Sequence, residues 1–177
     1  MFLFDKKIPS KTTGRKTVLC VLLFVFTLSG CSSVDFMPSF LSSKPQPVTP
    51  SWKNLVITSS ADVNLNSPVA IDILFVKNIE LLKNLASINS ASWFASRENS
   101  IKSFPEALQV ISYELVPGQN ITISAKELSQ FSAFQAITFV NYLTPGDHKG
   151  LLSMDQPGYL IKLESKDLIV YPVSLLN

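Results

Sequence analysis

Both cysteines of the chain, Cys20 and Cys31, lie within its first 31 residues. Nothing further along can be stapled by a disulfide, so whatever folds there must be held by an apolar core. The residues around those cysteines narrow the problem further. Lys6, Lys7, Lys11, Arg15 and Lys16 make a basic stretch, and Val18 to Leu28 is apolar apart from Cys20 and Thr27. Leu28-Ser29-Gly30-Cys31 then closes the segment with small residues and a thiol. A membrane-spanning helix needs about 20 apolar residues. The shorter run reads as the hydrophobic region of a secretory signal, which places residues 1–30 outside the fold.

Removing that segment changes the charge. The chain holds 15 Lys+Arg against 13 Asp+Glu; residues 1–30 take five basic residues and one acidic, leaving 10 against 12, near −2. The basic excess is signal, and no clustered Lys/Arg patch remains that would mark a nucleic-acid partner.

The segment resembles the lipobox of bacterial lipoproteins. That resemblance implies a diacylglycerol on the Cys31 sulfur, removal of the preceding peptide, and acylation (palmitate, for instance) of the new amine. Several acyl chains give stable anchoring where one is marginal. Ser32 stands where an aspartate would hold an enterobacterial lipoprotein in the inner membrane, which implies sorting to the outer membrane, facing the periplasm. Residues 31–51 follow as the lipidated cysteine and a Pro/Ser-rich tether, with Pro38, Pro45, Pro47 and Pro50 spaced among polar residues. Proline-rich chain of this kind is extended and semi-rigid. Phe36, Met37, Phe40 and Leu41 interrupt it and suit either the lipid surface or a dock on the domain.

Residues 52–177 read as one domain. Leu55-Val56-Ile57-Thr58 is a short β-rich run, and Val69–Val76 alternates partly, with Val69, Ile71, Ile73 and Phe75 on one face. A turn-rich connection, Asp62–Pro68, joins them. The period then becomes helical: Ile79, Leu82, Leu85 and Ala86 predict one helix, and Ser92–Glu98 a second, capped by Ser90 or Ser92 and anchored by Trp93 and Phe94. Ser100–Pro105 reads as loop. Leu108–Val116 is a strand with Gln109, Ile111, Tyr113 and Leu115 facing the core. Pro117-Gly118-Gln119-Asn120 is a turn signal, and Asn120–Ile123 is expected to return as the hairpin partner. Ala133–Leu143 is apolar on both faces, as in a central sandwich strand, and Thr144–Gly150 reads as an exposed turn. Tyr159–Leu163 and Leu168–Val173 predict a closing hairpin. Short strands, frequent turns and one helical insertion argue for a mainly β fold, a β-sandwich.

Chemistry is harder to find. His148, the lone histidine, sits in a Gly/Pro/Asp turn and is expected to be solvated. No His/Cys pair has metal-ligand spacing, and no glycine-rich phosphate loop occurs. Asp62 and Asp72 read as surface charges, Trp52 and Trp93 as core. No catalytic residue, metal or cofactor is expected, and the chain does not read as an enzyme. On residues alone one alternative stays open: a lipoprotein that binds a small ligand or inhibits an enzyme, with Trp52, Trp93 and the 144–150 turn around the site.

The order of motifs resembles the TssJ-type outer-membrane lipoproteins of type VI secretion systems. After the lipobox and linker come Ala61-Asp62-Val63-Asn64-Leu65-Asn66, the Ser67-Pro68-Val69 entry to a hydrophobic strand, and the helix-bearing insertion from Ile79 to Glu98. Leu115-Val116-Pro117-Gly118, Phe139-Val140-Asn141-Tyr142-Leu143 and a final hairpin complete the pattern. Asp72 and Leu74 replace an arginine-rich stretch, and Leu151-Leu152 stands near a usual tryptophan. The resemblance implies a transthyretin-like β-sandwich with a short helical insertion. It also implies a structural role, capturing the periplasmic domain of an IcmF-like (TssM-type) inner-membrane protein. The positions matching the family's partner-binding loop are Asp62, Val63, Asn64, Leu65, Asn66 and Ser67. A loop on a rigid sandwich suits that task, because the scaffold fixes its base while the tip stays free.

Overall fold

The computed structural model describes residues 44–173. The signal segment, Cys31 and tether residues 32–43 lie outside the described residues. The strands are β1 (Asn54–Ser59), β2 (Val69–Val76), β3 (Leu108–Leu115), β4 (Asn120–Ser124), β5 (Gln135–Val140), β6 (Lys149–Leu152), β7 (Tyr159–Leu163) and β8 (Leu168–Pro172). Two helices, α1 (Ile79–Ser87) and α2 (Ser90–Ser103), fall between β2 and β3, and a single turn, α3 (Ala125–Leu128), follows β4. One sheet has the order β4-β1-β7-β8 and the other β3-β2-β5-β6. The expected mainly β sandwich with a helical insertion is borne out.

Alternation explains the layering. Leu55 and Ile57 of β1, Ile71, Ile73 and Phe75 of β2, Ala136 and Val140 of β5, and Tyr159, Ile161 and Leu163 of β7 fill the space between the sheets. Trp52 packs there too, its ring edge-on to Tyr159 at 5.2 Å. The opposite faces of β2 and β5 carry Leu74, Val76, Ile137 and Phe139, which meet Leu81 and Leu85 of α1 and Trp93 of α2. These strands are therefore apolar on both faces because each is covered twice, as sequence expected for the second. Gly150 lets the sandwich close at its β6–β8 corner, since a Cβ there would lie 2.5 Å from a Val170 methyl.

Four expectations need correction. The 108–116 and 120–123 segments do not form a hairpin: β3 pairs with β2 and β4 with β1, in different sheets. The turn crosses between sheets because Ser60 O accepts Gly118 N–H and Ser59 Oγ accepts Gln119 N–H, holding it against the end of β1. The second helix is capped by Asn89, whose side chain accepts from Ser92 N, and runs through Ser103 into the expected loop. Residues 149–152, read partly as turn, form β6 on β5. Residues 44–51, assigned to the tether, belong to the folded body through Val48, which exchanges two backbone hydrogen bonds with Ala133 at 2.9 and 3.0 Å.

Thr138 on β5 is fully buried, and its Oγ1 has no hydrogen-bond partner among the described residues. Removing an unsatisfied hydroxyl while keeping its shape recovers a desolvation cost. Thr138→Val is therefore expected to stabilise the domain by about 1 kcal/mol, read as a higher urea midpoint at unchanged slope.

Candidate functional site

Four connections gather at one end of the sandwich: β1–β2, β3–β4, β5–β6 and β7–β8. The chain enters at the other end. Each of these loops is tied to a neighbour. Tyr142, buried in the 141–148 loop, places its hydroxyl 2.7 Å from the Asp167 carbonyl and 3.1 Å from that of Glu164. Burial, with the nearby Asp167 and Glu164 charges, pushes the Tyr142 phenol far above the ordinary tyrosine range. His148 sits beside it, ring centroids 4.8 Å apart.

His148 is not the solvated residue that its turn composition suggests. It is buried, its Nδ1 lies 3.0 Å from Asp167 Oδ1 and its Nε2 lies 2.8 Å from Thr144 O. Both nitrogens are engaged in holding the 141–148 loop to the β7–β8 turn, which is a structural task. The partners are 4 and 19 residues away, a separation that local composition does not reveal.

The β1–β2 loop is built around a backbone anomaly. Asn64, Leu65 and Asn66 are all left-handed, with φ of 49°, 58° and 60°. Such backbone costs an L-residue about 1–2 kcal/mol, less for asparagine. Asn64 stabilises it. Its buried side chain donates from Nδ2 to Pro68 O at 2.8 Å and accepts Leu143 N–H on Oδ1 at 2.7 Å. Val63 is fully buried beneath, and Ser67 N–H closes the turn on the Val63 and Asn64 carbonyls. Asp62, Leu65 and Asn66 face solvent, and Ser67 is half-buried. The Ser60 and Ser165 hydroxyls beside Asp62 hold its carboxyl below the usual carboxylate range. The six expected residues thus divide by job: Val63 and Asn64 hold the loop, while Asp62, Leu65 and Asn66 form its surface.

Sequence reading missed Leu143. Leu143 is 67% exposed and Leu65 is 52% exposed, on loops joined directly by the Asn64–Leu143 hydrogen bond. Val116 is exposed at the same end. An apolar residue immediately before Thr144-Pro145-Gly146 is the signal that marked Leu143 in the sequence.

Trp52 and Trp93 do not converge. Trp52 lies between the sheets with Nε1 donating to Ser153 O, whereas Trp93 lies under the helices, stacked on Phe139 at 5.7 Å. Asp72, expected at the surface, is buried. It accepts from Trp93 Nε1 at 2.9 Å and pairs with Arg97 Nε at 2.6 Å, while Arg97 also donates to Ser112. This cluster clamps α2 to the sheet and lies apart from the loop end.

No protein-family model matches the chain, and no curated protein matches it in sequence. Solved structures do. The T6SS lipoprotein TssJ1 from Pseudomonas aeruginosa aligns with a TM-score of 0.50 at 14% identity, over 74% of this chain and 98% of that one. Lip from Serratia marcescens, a membrane-bound component of the type VI secretion system, aligns with a TM-score of 0.45 at 17% identity, over 68% and 96%. A chain in the structure of the TssM C-terminal domain from EAEC aligns with a TM-score of 0.48 at 15% identity, over 73% and 100%. At such identity the likeness to TssJ1 is one of fold: the domain is a TssJ-type, transthyretin-like β-sandwich.

Proposed function

We propose that this protein is an outer-membrane lipoprotein, facing the periplasm, that serves as a scaffold in a type VI secretion membrane complex. Acyl chains on Cys31 anchor it, and the loop end captures the periplasmic domain of an IcmF-like (TssM-type) inner-membrane protein. The observation that carries this reading is geometric. The 62–67 loop and the entering chain occupy opposite ends of the sandwich, so anchoring and capture do not compete for surface. The lipobox-like segment and the TssJ-type fold support the same reading. Leu65 and Leu143 supply the apolar contact, and Asp62 and Asn66 its polar rim, the usual anatomy of a binding patch.

Crosslinking in intact envelopes followed by mass spectrometry tests the proposal. The expected result is recovery of an IcmF-like inner-membrane protein with the wild-type chain, and its loss when residues 62–67 are replaced by a Gly/Ser sequence. Cys31→Ser is expected to abolish secretion while the domain still folds and binds its partner in solution. Undiminished recovery with the replaced loop, or normal secretion by the unlipidated chain, would overturn it.

A further inference from the structure

The end of the domain where the chain enters carries its own exposed apolar row. Val48 is bonded through its backbone to Ala133, Phe134 N–H to Val76 O, and Lys77 N–H to Ala107 O. Four chain segments are thereby stitched side by side. Along them Val48, Ile79 at the start of α1, and Phe104 at the end of α2 are exposed. The charges near the row are mixed: Lys44 and Lys77 stand there with Glu106, Lys83 is paired with Glu80 beside Ile79, and Lys102 is paired with Glu98. Exposed apolar side chains in such a rim, with lysine stems that can lie along apolar surface while the ammonium stays in water, suit a shallow interfacial contact whose strength comes from the apolar row.

We propose that this row rests on the phospholipid surface to which Cys31 ties the chain. The proposal rests on acylation of Cys31 and is independent of the secretion partner. Twelve residues separate Cys31 from Lys44. At no more than about 3.6 Å per residue, Lys44 stands within roughly 45 Å of the acylated cysteine. Tethering at that range raises the local concentration of lipid surface, so a contact too weak to hold a free protein is populated. The occupant follows from where the chain enters: the bilayer is the surface that the anchor holds beside Val48. Such a contact also turns the 62–67 and 141–148 loops away from the membrane.

The thiols of the chain make a clean test. Once Cys31 is acylated and residues 1–30 are gone, no other cysteine remains, so a single introduced cysteine is labelled uniquely. The full lipidated protein, carrying Ile79→Cys, Phe104→Cys, Leu65→Cys or Leu143→Cys, is labelled with an environment-sensitive fluorophore. It is reconstituted into vesicles of phosphatidylethanolamine and phosphatidylglycerol containing a lipid-borne quencher. Labels at 79 and 104 are expected to shift to the blue and to be quenched several-fold more than labels at 65 and 143. In a Val48→Cys chain, Ile79→Ser with Phe104→Ser is expected to remove most of the quenching at 48. Equal quenching at both ends, or none at 79 and 104, overturns the contact. The intact mass of the same sample reports the acyl group. A free Cys31 thiol would overturn the anchor and the contact together, and is distinguished from loss of the contact alone by that mass.

Discussion

Asp72→Ala is expected to lower the unfolding free energy by about 3 kcal/mol, at the low end for a broken buried ion pair. The carboxylate is 2% exposed and serves two donors, Trp93 Nε1 and Arg97 Nε. Truncation leaves the indole N–H buried without a partner. Arg97 is one-third exposed, so water and Ser112 recover part of its loss, which sets the low end of the range. Asp72→Asn keeps the shape and one acceptor and is expected to cost about half as much. Urea denaturation with matched slopes measures both. A loss below about 1 kcal/mol for the alanine variant would mean that α2 is held by Trp93 packing alone, without help from the polar clamp. Asp72→Leu with Arg97→Met, which removes both charges, is expected to be less destabilising than either single change.

Asn64→Ala is the second large effect, about 3 kcal/mol. Two hydrogen bonds disappear at about 1 kcal/mol each, and alanine meets a left-handed cost of about another 1 kcal/mol that asparagine partly escapes. Asn64→Gly relieves the backbone and is expected to cost about 2 kcal/mol. Leu65→Gly separates strain from function. At φ 58° glycine removes a cost of about 1–2 kcal/mol and adds about 0.5–1 kcal/mol of chain entropy, for a net gain near 0.5 kcal/mol. Partner capture is expected to fall in the same variant, because the apolar tip is gone. Thermal unfolding and a binding isotherm on one preparation decide the matter. If Leu65→Gly weakened folding and binding in parallel, the strained turn would be a structural element alone, with no part in recognition.

The sandwich was legible because β1, β2, β5 and β7 alternate apolar and polar residues, or are apolar on both faces, in runs bounded by turn signals. The sheet membership of β3 and β4 was not. Pro117-Gly118 looks the same whether it closes a hairpin or crosses between sheets, and the deciding contacts come from Ser59 and Ser60, about 60 residues earlier in the chain. The second helix reads short in the sequence because Trp93 is its one large fully buried side chain and the rest carries little periodic signal. The position of the candidate loop was legible in Asp62–Ser67. Its division into buried holders and an exposed tip was not, because Asn64 acts through Leu143, 79 residues further along the chain. Asp72 and His148 were misplaced for the same reason: burial of a polar side chain is decided by a distant partner, and one sequence shows the residue without the pairing.

The position of β1 has a mechanical consequence. The strand that follows the chain's entry is not at an edge: it lies between β4 and β7, antiparallel to one and parallel to the other. A pull on the chain before Trp52, resisted by a grip on the opposite loops, acts along the strand axis. Its hydrogen bonds to both neighbours are then loaded together in shear, not opened one after another like a zipper. A domain wired in this way transmits tension from end to end without unravelling from its own leash.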